Sequence, residues 1–267
     1  AIEAGRAIEL TGMPVEVIVL ERNPRVGKKL LLTGNGRCNL TNTNLFPDAY
    51  NTPRALSVIH ALTEDTRTFF TSLGIMTCCD EAGRVYPHSM QSGSILNALR
   101  GEAERLGVQI CTSSMVESVR RKDGRFLLDE GIFADAVIMA CGGCAYPVTG
   151  SDGNGYKLLQ SLGIPYTRAL PSLTGLEVAD RDFKALKGVR AKAVVTAHID
   201  GKAVASEHGE VQFTEYGVSG IAVMQLSRLI TRALGRDKHC EPLLTIDLAP
   251  DVERGQIVDF LRHLCER

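Results

Sequence analysis

With 267 residues, the chain is long enough for a substantial core and for two domains. Its formal net charge of −1 leaves no basic footprint for nucleic acid or an anionic membrane, and no apolar run approaches the about 20 residues of a spanning helix. The eight cysteines are spread along the sequence rather than packed into a small disulfide framework, so reduced thiols and a cytoplasmic location are expected.

The opening segment AIEAGRAIEL reads as a helix without a preceding Ser, Thr, Asp or Asn cap. TGMP breaks it, and VEVIVLER, Val15 to Arg22, reads as a β-branched strand ending in an acid. Helix, turn, apolar strand and terminal Glu21 match the second half of a βαβ dinucleotide unit, whose acid meets a ribose hydroxyl. The first strand and its GxGxxG loop are therefore expected just upstream of Ala1. Next comes GKKLLLTGNGRCNLTN, Gly27 to Asn42, which combines a basic pair, a glycine loop (Gly34, Asn35, Gly36), an arginine, a cysteine and two asparagines. Glycines permit close backbone approach, main-chain N–H groups can cradle an anion, and Arg37 and Asn39 add directional donors. Together they describe a wall around a large, planar, partly anionic ligand.

Thr52 and Pro53 offer an N-cap and first position for helical sequence from Arg54 to Leu73, with a break near Thr63. DEAGRVYPHS reads as a turn-rich, semi-extended link. Ser94 is the expected cap of a helix carrying Ile95, Leu99, Ala103 and Leu106 at the 3.6 period, followed by a strand from Val108 to Cys111. From Met115 the pattern alternates through Asp123-Gly124 and Glu130-Gly131 turns, which predicts a small antiparallel meander. The run Ala136 to Ala140 predicts a doubly buried parallel strand that delivers Cys141, Gly142 and Gly143 to the carboxyl end of a sheet, where ligands bind. A loop and a helix from Gly155 to Leu162 follow.

Proline and glycine punctuation in IPYTRALPSLTGL marks a domain crossing. Beyond it, VRAKAVVTAHI, KAVASE and EVQFTE read as antiparallel strands of a barrel or sandwich. Ser219 is the expected cap of an amphipathic helix with Val223, Leu226, Ile230 and Ala233 on one face, and LLTIDL is another strand. The last segment, Glu253 to Arg267, predicts a helix with Ile257, Phe260, Leu261 and Leu264 inward. Cys141 and Cys144 form a CxxC that could serve as a redox dithiol, half of a zinc site, or two small residues in a glycine turn; no second CxxC or HxxxH accompanies it.

Four features arrive in order: Glu21 after a strand, the Gly27 to Asn42 segment, the meander, and Cys141-Gly142-Gly143. This is the plan of FAD domains of the two-dinucleotide type. GKKLLLTGNGRCNLTN, GRVYP at Gly83 to Pro87, ACGGCAYPVTGSDGNGYKLLQSLG and EVQFTEYGVSG resemble the bacterial flavoproteins that include aminoacetone oxidase-like and BaiN-like bile-acid reductase members. That family typically has a threonine at position 141 and a residue other than cysteine at 144. The resemblance implies an α/β fold, a Rossmann-like FAD-binding domain at residues 1–164 with an inserted β-barrel and small helical subdomain at residues 165–267. It also implies a C-terminal return segment that closes the flavin site and is not found in this sequence.

By the same resemblance, Glu21 meets the adenosine ribose with Arg22 beside it. Lys28 and Lys29 neutralise phosphate or lie near the flavin. Thr33, Gly34, Asn35, Gly36, Arg37, Cys38, Asn39 and Thr41 lie along the flavin, and Val116 offers strand backbone bonds to adenine. Gly142 and Gly143 border the phosphates. Cys38 has two readings, a thiol nucleophile near Arg37 or a small packed residue. The implied activity is FAD-dependent oxidation or reduction of a small organic substrate, with NAD(P)H as donor or oxygen as acceptor, and no metal is implied. The insert is expected to shape the substrate entrance. The alternatives are a flavin-binding protein whose output is interaction, and a chain that cannot hold FAD by itself.

Overall fold

A computed structural model describes residues 1–47, 50, 52, 54–61, 65–179 and 185–266. The chain divides into two compact units, Ala1–Tyr166 and Thr167–Arg267.

In the first unit, helix α1 (Ile2–Thr11) has no side-chain N-cap and ends on Gly12 in the left-handed region. The β-branched run that follows contributes a three-residue strand, β1 (Ile18–Leu20), shorter than the Val15 to Arg22 expected, and Val15 is 53% exposed. Thr41–Asn42 (β2) leads to two short helices, α2 (Arg54–His60) and α3 (Thr66–Ser72). Thr52 Oγ1 accepts from the Arg54 amide at 3.4 Å; Pro53 and Thr63 lie outside the described residues. Asp65 caps α3 by accepting from the Arg67 and Thr68 amides. DEAGRVYPHS is not a link. It holds the Asp80–Gly83 turn of a hairpin between β3 (Thr77–Cys79) and β4 (Arg84–Pro87), and β2, β4 and β3 make one antiparallel sheet. Val85, Tyr86 and Pro87 are its buried residues.

Helix α4 (Ser92–Arg105) begins two residues before the expected cap, and Ser94 instead shares a 2.8 Å hydroxyl hydrogen bond with Ser89. Gly101 lies exposed in this helix with open space where a side chain would go. Gly101→Ala is expected to raise stability by about 0.5–1 kcal/mol, read as a higher denaturation midpoint in urea. Strand β5 (Gln109–Cys111) pairs in parallel with β1. The expected meander is present as β6 (Val119–Lys122), β7 (Arg125–Leu128) and β8 (Ile132–Ala134). Helix α5 (Asn154–Ser161) packs on it through Leu158, against Val119 and Leu128.

Ala136 to Ala140 does not form the predicted parallel strand. Val137 and Met139 turn toward the meander core while Ile138 is 82% exposed. The period of two is that of an extended chain, but a strand needs a hydrogen-bonded neighbour, and none of the described strands pairs with this segment.

The second unit is built on a five-stranded antiparallel sheet in the order β13-β10-β11-β12-β9, comprising β9 (Leu176–Glu177), β10 (Arg190–Ile199), β11 (Lys202–Phe213), β12 (Gly217–Ser219) and β13 (Pro242–Asp247). Helix α6 (Ile221–Arg236) covers one face, and Val223, Leu226 and Ile230 meet Ala193, Val195, Ala197 and Val211 there. KAVASE and EVQFTE belong to one strand rather than two. Gly209 sits between them because Ile221 of α6 approaches within 2.9 Å of the place a side chain would take. Ser219 ends β12 and is not the cap; Gly220 holds that position. Helix α7 (Arg254–Cys265) has no buried residue. Most of the expected inward face is in solvent, with Phe260 62%, Leu261 52% and Leu264 48% exposed, while Ile257 is half-buried.

Candidate functional site at the carboxyl end of β1

Where β1 ends, the Glu21 amide still donates to the Cys111 carbonyl at 2.9 Å, so the acid is fixed to the parallel pair. Its Oε1 accepts from both the backbone amide and Nδ2 of Asn23, each at 2.7 Å. Asn23 Nδ2 also lies 3.3 Å from the Thr149 carbonyl, and Arg22 Nη1 donates to Asp152 Oδ2 at 2.6 Å. These bonds draw the 149–152 loop against the strand end.

The Arg22 hydrogen bond, followed by that of the Asn154 amide, holds the Asp152 carboxyl below the ordinary aspartate value. A lowered folded value means that this contribution is complete above the unfolded value of about 3.9 and is lost as pH falls through the folded one. Asp152→Asn should remove that acid-side dependence. Thermal midpoints of the two proteins are then expected to differ at neutral pH and to converge as pH falls toward about 2.

Residues Leu30–Gly36 form tight helical turns interrupted at Thr33, Gly34 and Asn35, the last two in the left-handed region at φ 56°. A side chain on Gly34 would lie 2.7 Å from the Asn39 amide nitrogen, so the reversal needs glycine there. The Arg37 and Cys38 amides bond back to the Gly34 and Thr33 carbonyls, and Thr33 Oγ1 donates to the Leu30 carbonyl at 2.7 Å. Arg37 Nε donates to the Gly34 carbonyl at 3.2 Å, and its guanidinium stands 5.1 Å from the centre of the buried Tyr86 ring. Both contacts fix its direction. Cys38 is 6% exposed and belongs to the core, while Asn35, Gly36, Arg37 and Asn39 face solvent. Thr41 enters the ladder opposite Val85. Lys28 is exposed, and Lys29 Nζ donates to the Ala145 carbonyl at 2.6 Å.

Gly142, at φ 73°, turns the chain above Ser151, whose Oγ lies 2.7 Å from the site of a side chain there. The Gly143 carbonyl accepts from the Gly153 amide at 3.2 Å. Val116 is not in a strand, since β6 begins at Val119; its carbonyl accepts from Asn154 Nδ2 at 3.1 Å. On either side of it, the Ser114 amide donates to the Glu21 carbonyl and the Glu117 amide to Asp129 Oδ1.

Glu21, Arg22, Lys29, Val116, Gly142 and Gly143 therefore gather around the loop before α5, while Thr33 to Thr41 fold against β4. Sequence reasoning missed Asn23, Asp152 and Tyr86. The first two have a local signal in hindsight, an amide two residues after the acid and an aspartate before the helix. Nothing local marks Tyr86 as the partner of Arg37.

The donor set suits a dinucleotide: an oriented carboxylate at a parallel strand end, a glycine turn beside it, basic side chains nearby, and an exposed loop bearing amide and guanidinium groups. The sequence matches the model of the HI0933-like protein Rossmann domain over residues 5–225. The chain belongs to this HI0933-like family. The match extends past Tyr166 into the second unit and ends within α6. Among curated relatives of the HI0933-like chain, a 3-dehydro-bile acid delta(4,6)-reductase of Clostridium scindens is 37% identical over 91% of this chain and 60% of its own length. A ribosomal RNA dihydrouridine synthase of Haemophilus influenzae is 30% identical over 83% of this chain and 57% of its own. That of Escherichia coli is 28% identical over 92% and 61%. The chain thus spans about three fifths of the length of these relatives. Among the described residues no helix is long and apolar enough to cross a membrane, and no cluster of potential metal ligands occurs.

Proposed function

We propose that the whole protein is an FAD-dependent oxidoreductase that reduces a conjugated double bond in a small organic substrate, with NAD(P)H as electron donor. The observation that carries this reading is the convergence of Glu21, Arg22, Lys29 and Gly142-Gly143 at the end of β1 in a member of a Rossmann family. The first unit is the flavin domain and the second belongs to the insert. Glu21 takes the adenosine ribose hydroxyls, and Arg22, Lys28 and Lys29 supply positive charge for the diphosphate, bordered by Gly142 and Gly143. Thr33 to Asn39 and Thr41 run along the flavin, and the Val116 amide faces adenine. Bound flavin supplies the hydride chemistry. Arg37, held by Tyr86 and the Gly34 carbonyl, places a fixed cation for negative charge on the reduced ring.

One finding favours reduction of a small molecule over amine oxidation or an RNA substrate: the relative at 37% identity is named a 3-dehydro-bile acid delta(4,6)-reductase. Full-length protein should carry flavin absorbance that NADPH bleaches without oxygen and that an α,β-unsaturated ketone restores. Restoration by dihydrouridine-free ribosomal RNA alone, or bleaching by an amine and not by NAD(P)H, would refute it.

A further inference from the structure

Of the eight cysteines, Cys38 is buried, Cys78 and Cys79 are consecutive in β3 and so point to opposite faces, and Cys111, Cys240 and Cys265 stand singly in sequence. Cys141 and Cys144 differ. Both are exposed free thiols, three positions apart across Gly142, whose φ of 73° reverses the chain between them.

The two side chains rest on the same short piece of backbone. Cys144 Sγ lies 2.9 Å from where a side chain on Gly153 would begin, and Gly153 is the N-cap of α5. Cys141 Cβ lies 2.9 Å, and its Sγ 3.5 Å, from the same point on Gly155. Glycine at 153 and 155 leaves the room that the two cysteines occupy. The turn is anchored by the Gly153 amide to the Gly143 carbonyl and by Lys29 Nζ to the Ala145 carbonyl.

We propose that Cys141 and Cys144 form a reversible dithiol–disulfide pair that exchanges with small-molecule disulfides. One cysteine, as thiolate, attacks a sulfur of RSSR, forming a protein–SR mixed disulfide and expelling RS⁻. The second loses its proton and attacks the protein sulfur, forming the Cys141–Cys144 bond and expelling another RS⁻. The two thiolates released take up the two protons lost by the cysteines. Two protein thiols are oxidised by two electrons and one RSSR is reduced to two RSH. The ring so closed encloses Gly142 and Gly143. The exchange itself uses neither flavin nor organic substrate, so it stands or falls apart from the reading above.

The test is incubation of the full chain with oxidised glutathione, alkylation of remaining thiols, digestion and mass spectrometry. The expected product is a peptide containing both cysteines, lighter by two hydrogens and restored by dithiothreitol, with two of the eight cysteines lost to alkylation. Cys141→Ser should instead retain a glutathione adduct on Cys144. Stable glutathione adducts on both cysteines of the unaltered protein, or full alkylation of both while other cysteines oxidise, would overturn the proposal.

Discussion

Gly220→Ala is expected to destabilise the second unit by about 3 kcal/mol or more, seen as a fall of the thermal midpoint of roughly 10–20 °C. Gly220 has φ 98° and ψ 164°, a region that is essentially closed to residues with a Cβ. An added Cβ would also collide with the Glu210 carbonyl and lie 2.9 Å from Val211 Cα. All these obstacles are backbone of β11, so no rotamer change relieves them. Two paired strands, Gln212 opposite Ser219 and Phe213 opposite Val218, would have to part, at the point where α6 starts to cover the core. Gly201→Ala is the comparison: it also sits at positive φ, 75°, but with nothing within 4 Å of the new Cβ. Its cost should be about 1–2 kcal/mol, conformational strain alone. Calorimetry of both variants reads the difference; equal midpoints would mean that neither the closed backbone region of Gly220 nor the β11 contact adds to the strain of an ordinary positive-φ position.

Glu21→Ala is expected to weaken FAD binding by the full-length protein about 10- to 100-fold, the loss of one or two hydrogen bonds to a charged acceptor. Removing the carboxylate also frees Asn23, which it anchors through two bonds. Asn23→Ala is therefore the needed companion. It keeps the acceptor and its backbone-amide bond and loses only the Nδ2 bonds to Glu21 and the Thr149 carbonyl, so less than about a tenfold loss is expected. Flavin fluorescence titration reads both, and an unchanged dissociation constant for Glu21→Ala would remove this acid from the binding scheme.

The elements that could be read in advance were those whose pattern is set by local sequence. The β6–β8 meander follows from alternation and its two turns, and α6 from its apolar spacing. Two of the errors share a cause. Ala136 to Ala140 has the composition of a core strand, but pairing is decided by a neighbour distant in sequence. Val85 and Tyr86 reach the core through a hairpin whose partners, β2 and β3, are too short to show a period. Helix starts at Ser92 and Ile221 were displaced because a serine near a boundary is equally useful in a turn or a strand end. At the candidate site, residue types in the Gly27 to Asn42 segment were informative. What they touch was not: Arg37 on Tyr86 and Arg22 on Asp152 join positions 49 and 130 residues apart.

The exposed face of α7 bears on motion rather than on chemistry. A helix of 12 residues is marginal in water without tertiary burial, and of the described residues in this one only Ile257 is half-buried. Its hydrogen bonds open at little free-energy cost, whereas those of α6, with Val223 and Leu226 fully covered, open only with the sheet beneath them. Amide hydrogens in α7 of this chain are expected to exchange with solvent long before those of α6.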